Sequence, residues 1–327
     1  MNEPSSHVGI VAIGRNEGDR FKRCLLSLKQ ESERIVYVDS GSTDDSVKFA
    51  RNNGAHVVVL DKDKAFTAAR ARNAGFAALQ EQWPDTENVF FIDGDCELVV
   101  GFVEAAISQL MSDRAIGVVT GRCRERRPDA TIYNRLCEIE WRGPVGDIKA
   151  CGGIFVTRAH AFQTVDGFRE NIIAAEDDDF CIRIRSAGLR IVRIDQDMCL
   201  HDADIRKFGQ WWRRMERAGH AFAQLGELHD GYFRSERLRS LGWGGVLPAV
   251  SLLSTPFTNG LSLFLLLLYP LSLARTRTGL IKRGVAPAHA TLGAFFLTLA
   301  KVPNFIGMLK YKWKKRTASS IGIVEYK

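Results

Sequence analysis

Two aspartates at a spacing of two follow a short apolar run near the middle of the chain. The run Val89–Ile92 predicts a buried strand, and Asp93, Gly94 and Asp95 come directly after it. Hard divalent cations such as Mg²⁺ prefer carboxylate oxygens and commonly bind substrate phosphates as well. Gly94 would let a ligand approach the backbone closely. These residues therefore predict a metal and phosphate site, although an exposed acidic turn after a strand gives the same pattern.

A second acidic group, residues 176–179, opens the segment "EDDDFCIRIRSAG". Acidic residues in the first turn of a helix complement the helix dipole, which is a purely structural reason for the run. Carboxylates this close also raise one another's pKa, and a carboxylate with a raised pKa can accept a proton from an attacking hydroxyl. The residues alone leave both interpretations open.

The segments before these acids alternate between strand and helix patterns. Four apolar runs have strand length: "HVGIVAIG", "RIVYVDS", "AHVVVLD" and "NVFFID". Helix patterns separate them, which predicts right-handed crossovers and a mainly parallel sheet. Ligands of such sheets bind beyond the carboxyl ends of the strands, where Asp39 and Asp93 lie. Residues 101–204 are less regular, with strands predicted at "AIGVVTGR", "GGIFVTR" and "LRIVRID".

Three other phosphate-binding classes fit the sequence poorly. The segment "GIVAIGRN" at 9–16 lacks the Lys and Ser/Thr of a P-loop, and no Gly-x-Gly-x-x-Gly follows the first strand. A haloacid dehalogenase-type phosphatase also places Asp-x-Asp after an apolar strand. Such enzymes usually have Thr or Val where this chain has Glu97, and their motif follows the first strand rather than the fourth.

Charge and hydropathy divide the chain. The net charge is +7, with −7 in residues 1–204 and +14 in residues 205–327. Residues 240–274 contain no charge, and this run of 35 exceeds the roughly 20 residues that span a bilayer. Prolines interrupt it, so we expect in-plane or re-entrant insertion that keeps the basic segments on the cytoplasmic side. The alternative is a buried helical subdomain of a soluble enzyme.

The seven cysteines are scattered and form no Cys-x-x-Cys pair. This pattern predicts reduced, packed thiols and a cytosolic environment. The N-terminal residues lack a basic start followed by a long apolar run, so no secretory signal is expected.

Five blocks in a fixed order carry a family resemblance: "VGIVAIGRNEGDRFKRCLLSL", "IVYVDSGSTDDSV", "AARARNAGF", "VFFIDGDCEL" and "AAEDDDFCIRIRSAGLRI". Together they strongly resemble glycosyltransferase family 2 over roughly residues 8–203. The resemblance implies an α/β fold of the GT-A type, with a Rossmann-like, mainly parallel sheet flanked by helices. The C-terminal apolar and basic region would add a helical, membrane-associated part.

The resemblance also implies roles for individual residues. It assigns a base, a metal and diphosphate motif, and a set of nucleotide-sugar contacts. The base would be Asp177, beside Glu176; the metal ligands would be Asp95, Asp93 and His201; the nucleotide-sugar contacts would be Asn16, Glu17, Asp39, Ser40, Ser42, Arg72, Asn73 and Asp93. A packed or surface histidine fits His201 nearly as well. The family's usual Pro-x-Tyr-Asn-Glu is Gly-Arg-Asn-Glu here.

These assignments predict a metal-dependent, inverting glycosyltransferase. It would use Mg²⁺ or Mn²⁺ to move a sugar from a nucleotide donor, expected to be UDP-linked, to a lipid-linked or glycan acceptor. Residues 1–204 would be catalytic (nucleotide-sugar binding in about 1–100), 205–239 a connecting helix and 240–327 a tail at the inner or plasma membrane, with the catalytic part cytoplasmic. No nucleic-acid partner is expected. The alternatives are a nucleotidyl- or phosphotransferase on a related fold and a non-catalytic membrane scaffold.

Overall fold

A computed structural model describes residues 7–317. The chain divides into two compact units. The first runs to Arg127 and resumes at Glu140–Ala203; the second consists of Pro128–Ile139 and the chain from Asp204 onward. Residues 1–6 and 318–327, the two ends of the predicted catalytic part and tail, lie outside the described part. The predicted functional division at residue 204 stays a prediction.

The first unit is built around one mixed sheet. Its strands, in chain order, are β1 Val8–Gly14, β2 Ile35–Asp39, β3 His56–Val59, β4 Asn88–Asp93, β5 Cys96–Leu98, β6 Ile116–Glu125, β7 Gly146–Asp147, β8 Phe155–Arg158 and β9 Arg190–His201. Their order is β3-β2-β1-β4-β8-β6-β9-β5, with β7 beside β9. The pairs among β1–β4 are parallel, as predicted, whereas β8 pairs antiparallel with both β4 and β6. The predicted α/β architecture is therefore confirmed, and the second half of the sheet is more mixed than its first half.

Helices cover both faces of this sheet. Those of the first unit are α1 Asp19–Leu28, α2 Ser46–Asn52, α3 Ala68–Gln82, α4 Phe102–Ser112, α6 Ala159–Thr164 and α7 Glu176–Ser186, and α5 Ile132–Trp141 ends in this unit. On β1, Ile10 and Ala12 pack toward α1 and α4, whereas Val11 and Ile13 pack toward α3 and α7. Burial on both faces explains why the strand is apolar at every position rather than at alternate positions.

The strand register sets the polar edge. Gly14 is the register partner of Asp39, and Ile13 is the partner of Asp93, so the two aspartates flank the end of β1. The strand order reverses here, with β2 on one side of β1 and β4 on the other, and ligands of open α/β sheets bind at such a point. Gly94 is packed rather than open, because a Cβ there would lie 3.1 Å from the Ile13 carbonyl oxygen. Its small size is thus required by the neighbouring strand.

One helix start differs from its prediction. The segment "STDDSVKFARNNG" predicts a Ser/Thr cap with acidic residues in the first turn. In the structure α2 begins at Ser46 with Asp45 in the capping position, and no acidic residue lies in its first turn. Asp44 instead accepts hydrogen bonds from the backbone N–H groups of Gly18 and Ser46. The acids therefore order the preceding loop.

The second unit is helical. Besides most of α5, it contains α8 Phe208–Leu228, α9 Arg234–Leu241, α10 Leu247–Leu253, α11 Leu268–Lys282, α12 Pro287–Leu299 and α13 Lys301–Arg316. Helices α8 and α13 approach very closely, since a Cβ on Gly219 would lie 2.0 Å from the Asn304 carbonyl oxygen. Trp211 of α8 is buried against Phe296 and is therefore a core residue of this unit.

The uncharged run does not form one long helix. It is broken into a π-helical turn at Gly242–Val246, helix α10 and two 3₁₀ segments, Thr255–Phe257 and Leu261–Leu267. Within the described residues, the helical span Pro287–Arg316, which contains α12 and α13, is long enough and apolar enough to cross a membrane. However, 44% of its most apolar window is buried inside the structure. A core helix of a soluble protein would satisfy the same criteria.

Candidate active site

The loops after β1 and β2 support each other. Asp39 is buried, and one of its carboxylate oxygens accepts hydrogen bonds from the backbone N–H groups of Gly41 and Ser42 at 3.0 and 2.9 Å. Asn16, in the left-handed region at φ 55°, accepts from the Thr43 backbone N–H through its side-chain oxygen at 2.7 Å. Both side chains therefore order the loop at residues 40–43, the place where the sequence predicts nucleotide contacts.

Three further predicted nucleotide contacts, Ser40, Glu17 and Ser42, belong to the same loops. The Ser40 backbone N–H donates to the Gly14 carbonyl oxygen at 3.0 Å, and the Glu17 carboxylate pairs with Arg20 at 2.7 Å. The Ser42 hydroxyl accepts from the Asn16 backbone N–H at 2.9 Å. The structure thus brings the predicted set together, and direct contact with a nucleotide stays a prediction.

Arg72 of α3 connects the two acidic motifs. Its side chain is buried, and its two terminal nitrogens donate 2.8 Å hydrogen bonds to Asp93 and to Glu176. A Cβ on Gly153 would lie 2.2 Å from the Arg72 guanidinium, so only glycine fits beside it. Because both carboxylates are paired with one buried cation, Arg72 holds the end of β4 against the start of α7.

Asn73, the next residue of α3, has a different role. Its side-chain amide donates to the Phe168 carbonyl oxygen at 2.8 Å and accepts from the Phe168 backbone N–H at 2.9 Å. This reciprocal pair holds the loop before α7. The structure therefore shows Asn73 in a loop contact, and its predicted contact with the sugar donor stays a prediction.

Asp95, Cys96 and His201 form a compact group of possible metal ligands. One Asp95 oxygen lies 3.1 Å from Nε2 of His201, and the other lies 3.6 Å from Sγ of Cys96. All three ligand atoms lie within 4.8 Å of one another. The pairing of β5 with β9 places Cys96 directly opposite His201. His201 thus joins the Asp-x-Asp motif through sheet register, across more than one hundred residues of sequence.

Charge within this group shifts the pKa values of its members. Burial is the largest influence on His201 and lowers its pKa, but Asp95, Cys96 and Cys123 together outweigh burial, so the net pKa is raised well above its usual value. Burial raises the pKa of Asp93, Arg72 opposes that shift, and the charge of Asp95 adds to it. His201 would therefore have to release a proton before its imidazole could bind a divalent cation.

The four acids at the start of α7 have different surroundings. Glu176 pairs with Arg72, and the fully buried Asp179 pairs with Arg169 and Arg183 at 3.0 and 2.8 Å. Asp177 is half-buried, with its carboxylate near Gly152. Burial, with the charges of Asp178 and Glu176, raises the pKa of Asp177 to about 8. Its pKa is therefore suited to a proton acceptor near neutral pH, whereas Glu176 and Asp179 serve in ion pairs.

The structure also identifies neighbours that the sequence analysis does not single out. The half-buried Trp141 packs against His201, with 4.4 Å between the ring centroids. Cys96 adjoins the Asp-x-Asp motif in the sequence, but as a lone cysteine it gives no signal without the β5–β9 pairing. The arginines of "GRCRERR" form ion pairs with acids of neighbouring segments, such as Arg127 with Asp202, as expected for a solvated structural face.

Two models of known protein families match the part of the chain that contains these residues. Residues 10–164 match the model for glycosyl transferase family 2. Residues 136–205 match the model for the N-terminal domain of galactosyltransferase. The first match contains Asp39, Arg72, Asp93 and Asp95, and the second contains Asp177 and His201. Both acidic motifs thus lie within matched segments.

Individual proteins give the same picture. The chain is 28% identical over 240 residues to the pre-mycofactocin glycosyltransferase of Mycobacterium tuberculosis, which covers 68% of this chain and 48% of that protein. The chain therefore spans about half the length of the curated relative. Its fold is similar to that of the mannosyltransferase PcManGT from Pyrobaculum calidifontis, solved with GDP-Man and Mn²⁺, with a TM-score of 0.64 and 18% identity over 96% of this chain and 89% of that one.

Proposed function

We propose that this chain, whose residues 10–164 match the model for glycosyl transferase family 2, transfers a sugar from a nucleoside diphosphate to an acceptor hydroxyl, with inversion at the sugar. The observation that carries the proposal is the double pairing of Arg72. It joins the Asp-x-Asp edge of the sheet to the helix that begins with Asp177. Such a transfer needs a site for the diphosphate and a carboxylate base beside it, and the pairing of Arg72 holds the proposed residues for both together.

The residues at the sheet edge fit a divalent cation. Asp95 and His201 offer an oxygen and a nitrogen 3.1 Å apart, and Asp93 presents a second, partly exposed carboxylate. Oxygen-rich sites of this kind suit Mg²⁺ or Mn²⁺, and we assign the ion to Asp95 and His201, with Asp93 facing the ribose and diphosphate. Such an ion, when bound, neutralises the leaving diphosphate. Arg72 keeps Asp93 oriented.

Asp177 is the proposed base. Its raised pKa leaves a carboxylate that can take the proton of the acceptor hydroxyl as the hydroxyl attacks the sugar. The ion pair between Glu176 and Arg72 favours Asp177 over Glu176 in this role, because an unpaired carboxylate accepts a proton more readily. A single base on one side of the sugar implies one displacement, and one displacement inverts the anomeric centre.

The nucleotide of the sugar donor is proposed as UDP. The family resemblance supports a UDP-sugar, whereas the mannosyltransferase structure of similar fold contains GDP-Man. Both nucleotides therefore belong in the test.

We further propose that the acceptor is a lipid-linked or glycan hydroxyl reached at the cytoplasmic face of the inner or plasma membrane. The second unit supports this, because it exposes a group of large apolar side chains. Their exposed fractions are Leu253 73%, Phe257 89%, Leu261 66%, Leu267 63% and Leu271 66%. So many exposed large apolar side chains within residues 253–271 favour an interaction surface. The basic residues Arg275, Arg277, Lys282 and Arg283 follow directly, which favours an anionic bilayer as the partner.

A two-step experiment tests the function. UDP- and GDP-sugars are first screened for thermal stabilisation of the full chain with Mn²⁺, and the stabilising donor is then incubated with membrane lipid extract. We expect equimolar release of free nucleoside diphosphate and glycosylated lipid. Release of nucleoside monophosphate or of pyrophosphate would instead indicate a phosphotransferase or nucleotidyltransferase. No turnover of any sugar donor by well-folded protein would support the non-catalytic scaffold.

A further inference from the structure

The proposed metal site contains a sulfur atom that Mg²⁺ and Mn²⁺ do not need. Cys96 follows Asp95 directly, and its thiol points at the Asp95 carboxylate rather than solely into the apolar core. Hard ions take oxygen ligands, whereas Zn²⁺ and other thiophilic ions bind thiolate and imidazole strongly. The three ligand atoms of Asp95, Cys96 and His201 thus suit two classes of ion in different ways.

The three possible ligand atoms are close enough to share one ion after a side-chain adjustment. With Zn–S of about 2.3 Å and Zn–N or Zn–O of about 2.0 Å, a tetrahedral site places its oxygen and sulfur about 3.5 Å apart and its oxygen and nitrogen about 3.3 Å apart. In the structure Oδ1 of Asp95 lies 3.6 Å from Sγ of Cys96, whereas the other oxygen, Oδ2, lies 3.1 Å from Nε2 of His201. The three ligand atoms lie within 4.8 Å of one another, so a rotation of the Asp95 carboxylate would let one ion contact all three residues.

The surroundings hold these ligands in place. Asp95 and Cys96 are almost completely buried, and Trp141 packs against the His201 ring. The β5–β9 pairing fixes Cys96 opposite His201 through backbone hydrogen bonds. Three protein ligands leave a fourth tetrahedral position for water or a phosphate oxygen.

We propose that Cys96 makes this a site for a thiophilic divalent ion, Zn²⁺ or Co²⁺, bound by Asp95, Cys96 and His201 in competition with Mg²⁺ or Mn²⁺. Binding converts the Cys96 thiol to a thiolate and protonated His201 to a neutral imidazole, and both protons pass to the buffer. The inference rests on the proposed function only for the identity of the competing ion. A simpler role, in which Cys96 is a small core residue that orients Asp95, predicts no bond between the sulfur and the metal.

Cobalt spectroscopy of the metal-free, reduced full-length chain distinguishes the two roles. Co²⁺ bound by a thiolate gives a near-ultraviolet charge-transfer band, and Co²⁺ bound by oxygen and nitrogen alone does not. We expect the band in the wild type, its loss in Cys96→Ser, and at least a tenfold weaker Co²⁺ affinity in that variant. Cys181→Ala is the matched control, because Cys181 is equally buried in the same unit but lies 3.4 Å from Cys151. It should keep the band, and one equivalent of Zn²⁺ should abolish it.

Each other result contradicts the inference. Calorimetric Co²⁺ binding without the band would limit the ligands to oxygen and nitrogen, and a band that persists in Cys96→Ser would assign the sulfur to another cysteine. No Co²⁺ binding would also exclude the site. Circular dichroism confirms that Cys96→Ser is folded. Mn²⁺-dependent sugar transfer by the wild type is measured separately. Loss of the cobalt band with normal transfer would contradict only this inference, whereas a cobalt band without transfer would contradict only the proposed function.

Discussion

Arg72 and Glu176 lie 104 residues apart in the sequence and share a 2.8 Å hydrogen bond in the core of the candidate active site. The other terminal nitrogen of the same guanidinium holds Asp93, so the buried cation is balanced by two carboxylates. This pairing joins the end of β4 to the start of α7. Because Glu176 is occupied by this ion pair, the arrangement favours Asp177 as the proposed base.

Replacing Arg72 should strongly destabilise the first unit. Arg72→Met would leave two carboxylates close together without their buried cation, and loss of one partner of a buried pair costs about 3–5 kcal/mol. Arg122→Met is the control, because Arg122 makes a comparatively exposed pair with Asp197 that should contribute about 1 kcal/mol or less. Urea unfolding at neutral pH measures both. Equal losses in the two variants would show that the Arg72 pairs are not structurally important.

Asp177→Asn should abolish most transfer without loss of the sugar donor. The amide has nearly the same size but cannot accept the proton, so turnover should fall by about 10² or more while affinity for the nucleotide sugar stays within a few-fold. The wild-type kcat/KM should rise with pH and reach half of its maximum near pH 8, the pKa of Asp177. The variant should not show this rise with pH. Asp178→Asn is the matched control. Normal turnover of Asp177→Asn would move the role to Asp178.

The same variant should stabilise the protein above acidic pH. The pKa of Asp177 is about 8 in the fold and near 3.8 when unfolded, so the folded state binds more protons between these values. Stability contributed by protonated Asp177 is therefore lost as pH rises from about 4 to about 8. The amide introduced by Asp177→Asn does not titrate, so the advantage of the variant should be small near pH 4 and reach roughly 3 kcal/mol at pH 8, after allowance for partial exposure. Denaturant unfolding of metal-free protein at both pH values tests this; a difference that does not vary with pH would contradict the assigned pKa.

Asp95→Ala should remove metal-dependent binding of the sugar donor. The carboxylate is the oxygen ligand nearest to His201, so its loss should weaken UDP affinity measured with Mn²⁺ by at least tenfold, with little change when the metal is absent. Glu97→Ala, two residues further along, is the control, because Glu97 pairs with Arg126 instead. Isothermal calorimetry measures all four cases. Unchanged affinity of Asp95→Ala with Mn²⁺ would refute the metal assignment.

Membrane retention should depend on the exposed apolar residues of the second unit. The triple change Leu253→Ser, Phe257→Ser and Leu261→Ser should release most of the full-length chain from anionic vesicles after a high-salt wash, because insertion rather than charge would then be lost. A second triple variant removes three exposed apolar residues of the first unit: Val100→Ser, Met111→Ser and Val145→Ser. This control should stay bound. The proposal would be excluded if the wild-type protein stayed monodisperse without detergent and did not bind the vesicles.

The α/β class, the resemblance to glycosyltransferase family 2 and the positions of both acidic motifs could be predicted from the sequence alone. Strand and helix patterns reflect local periodicity, and the apolar runs of β1, β2 and β4 are continuous because both faces of a parallel sheet are buried. Asp39 and Asp93 are expected at strand ends because each directly follows one of these apolar runs. Such features depend on residues close together in the chain, so a single sequence reveals them.

The ion-pair and hydrogen-bond partners of the individual side chains follow only from the tertiary structure. Four adjacent acids look equivalent in the sequence, but Arg72 takes Glu176, and Arg169 and Arg183 take Asp179. Cys96 and His201 become neighbours only through the antiparallel register of β5 and β9. Ion pairing, burial and pKa depend on atoms brought together from distant segments, and local sequence patterns contain no information about those distances. The tertiary structure therefore determines which acidic residues of the motifs are held in ion pairs and which have a raised pKa.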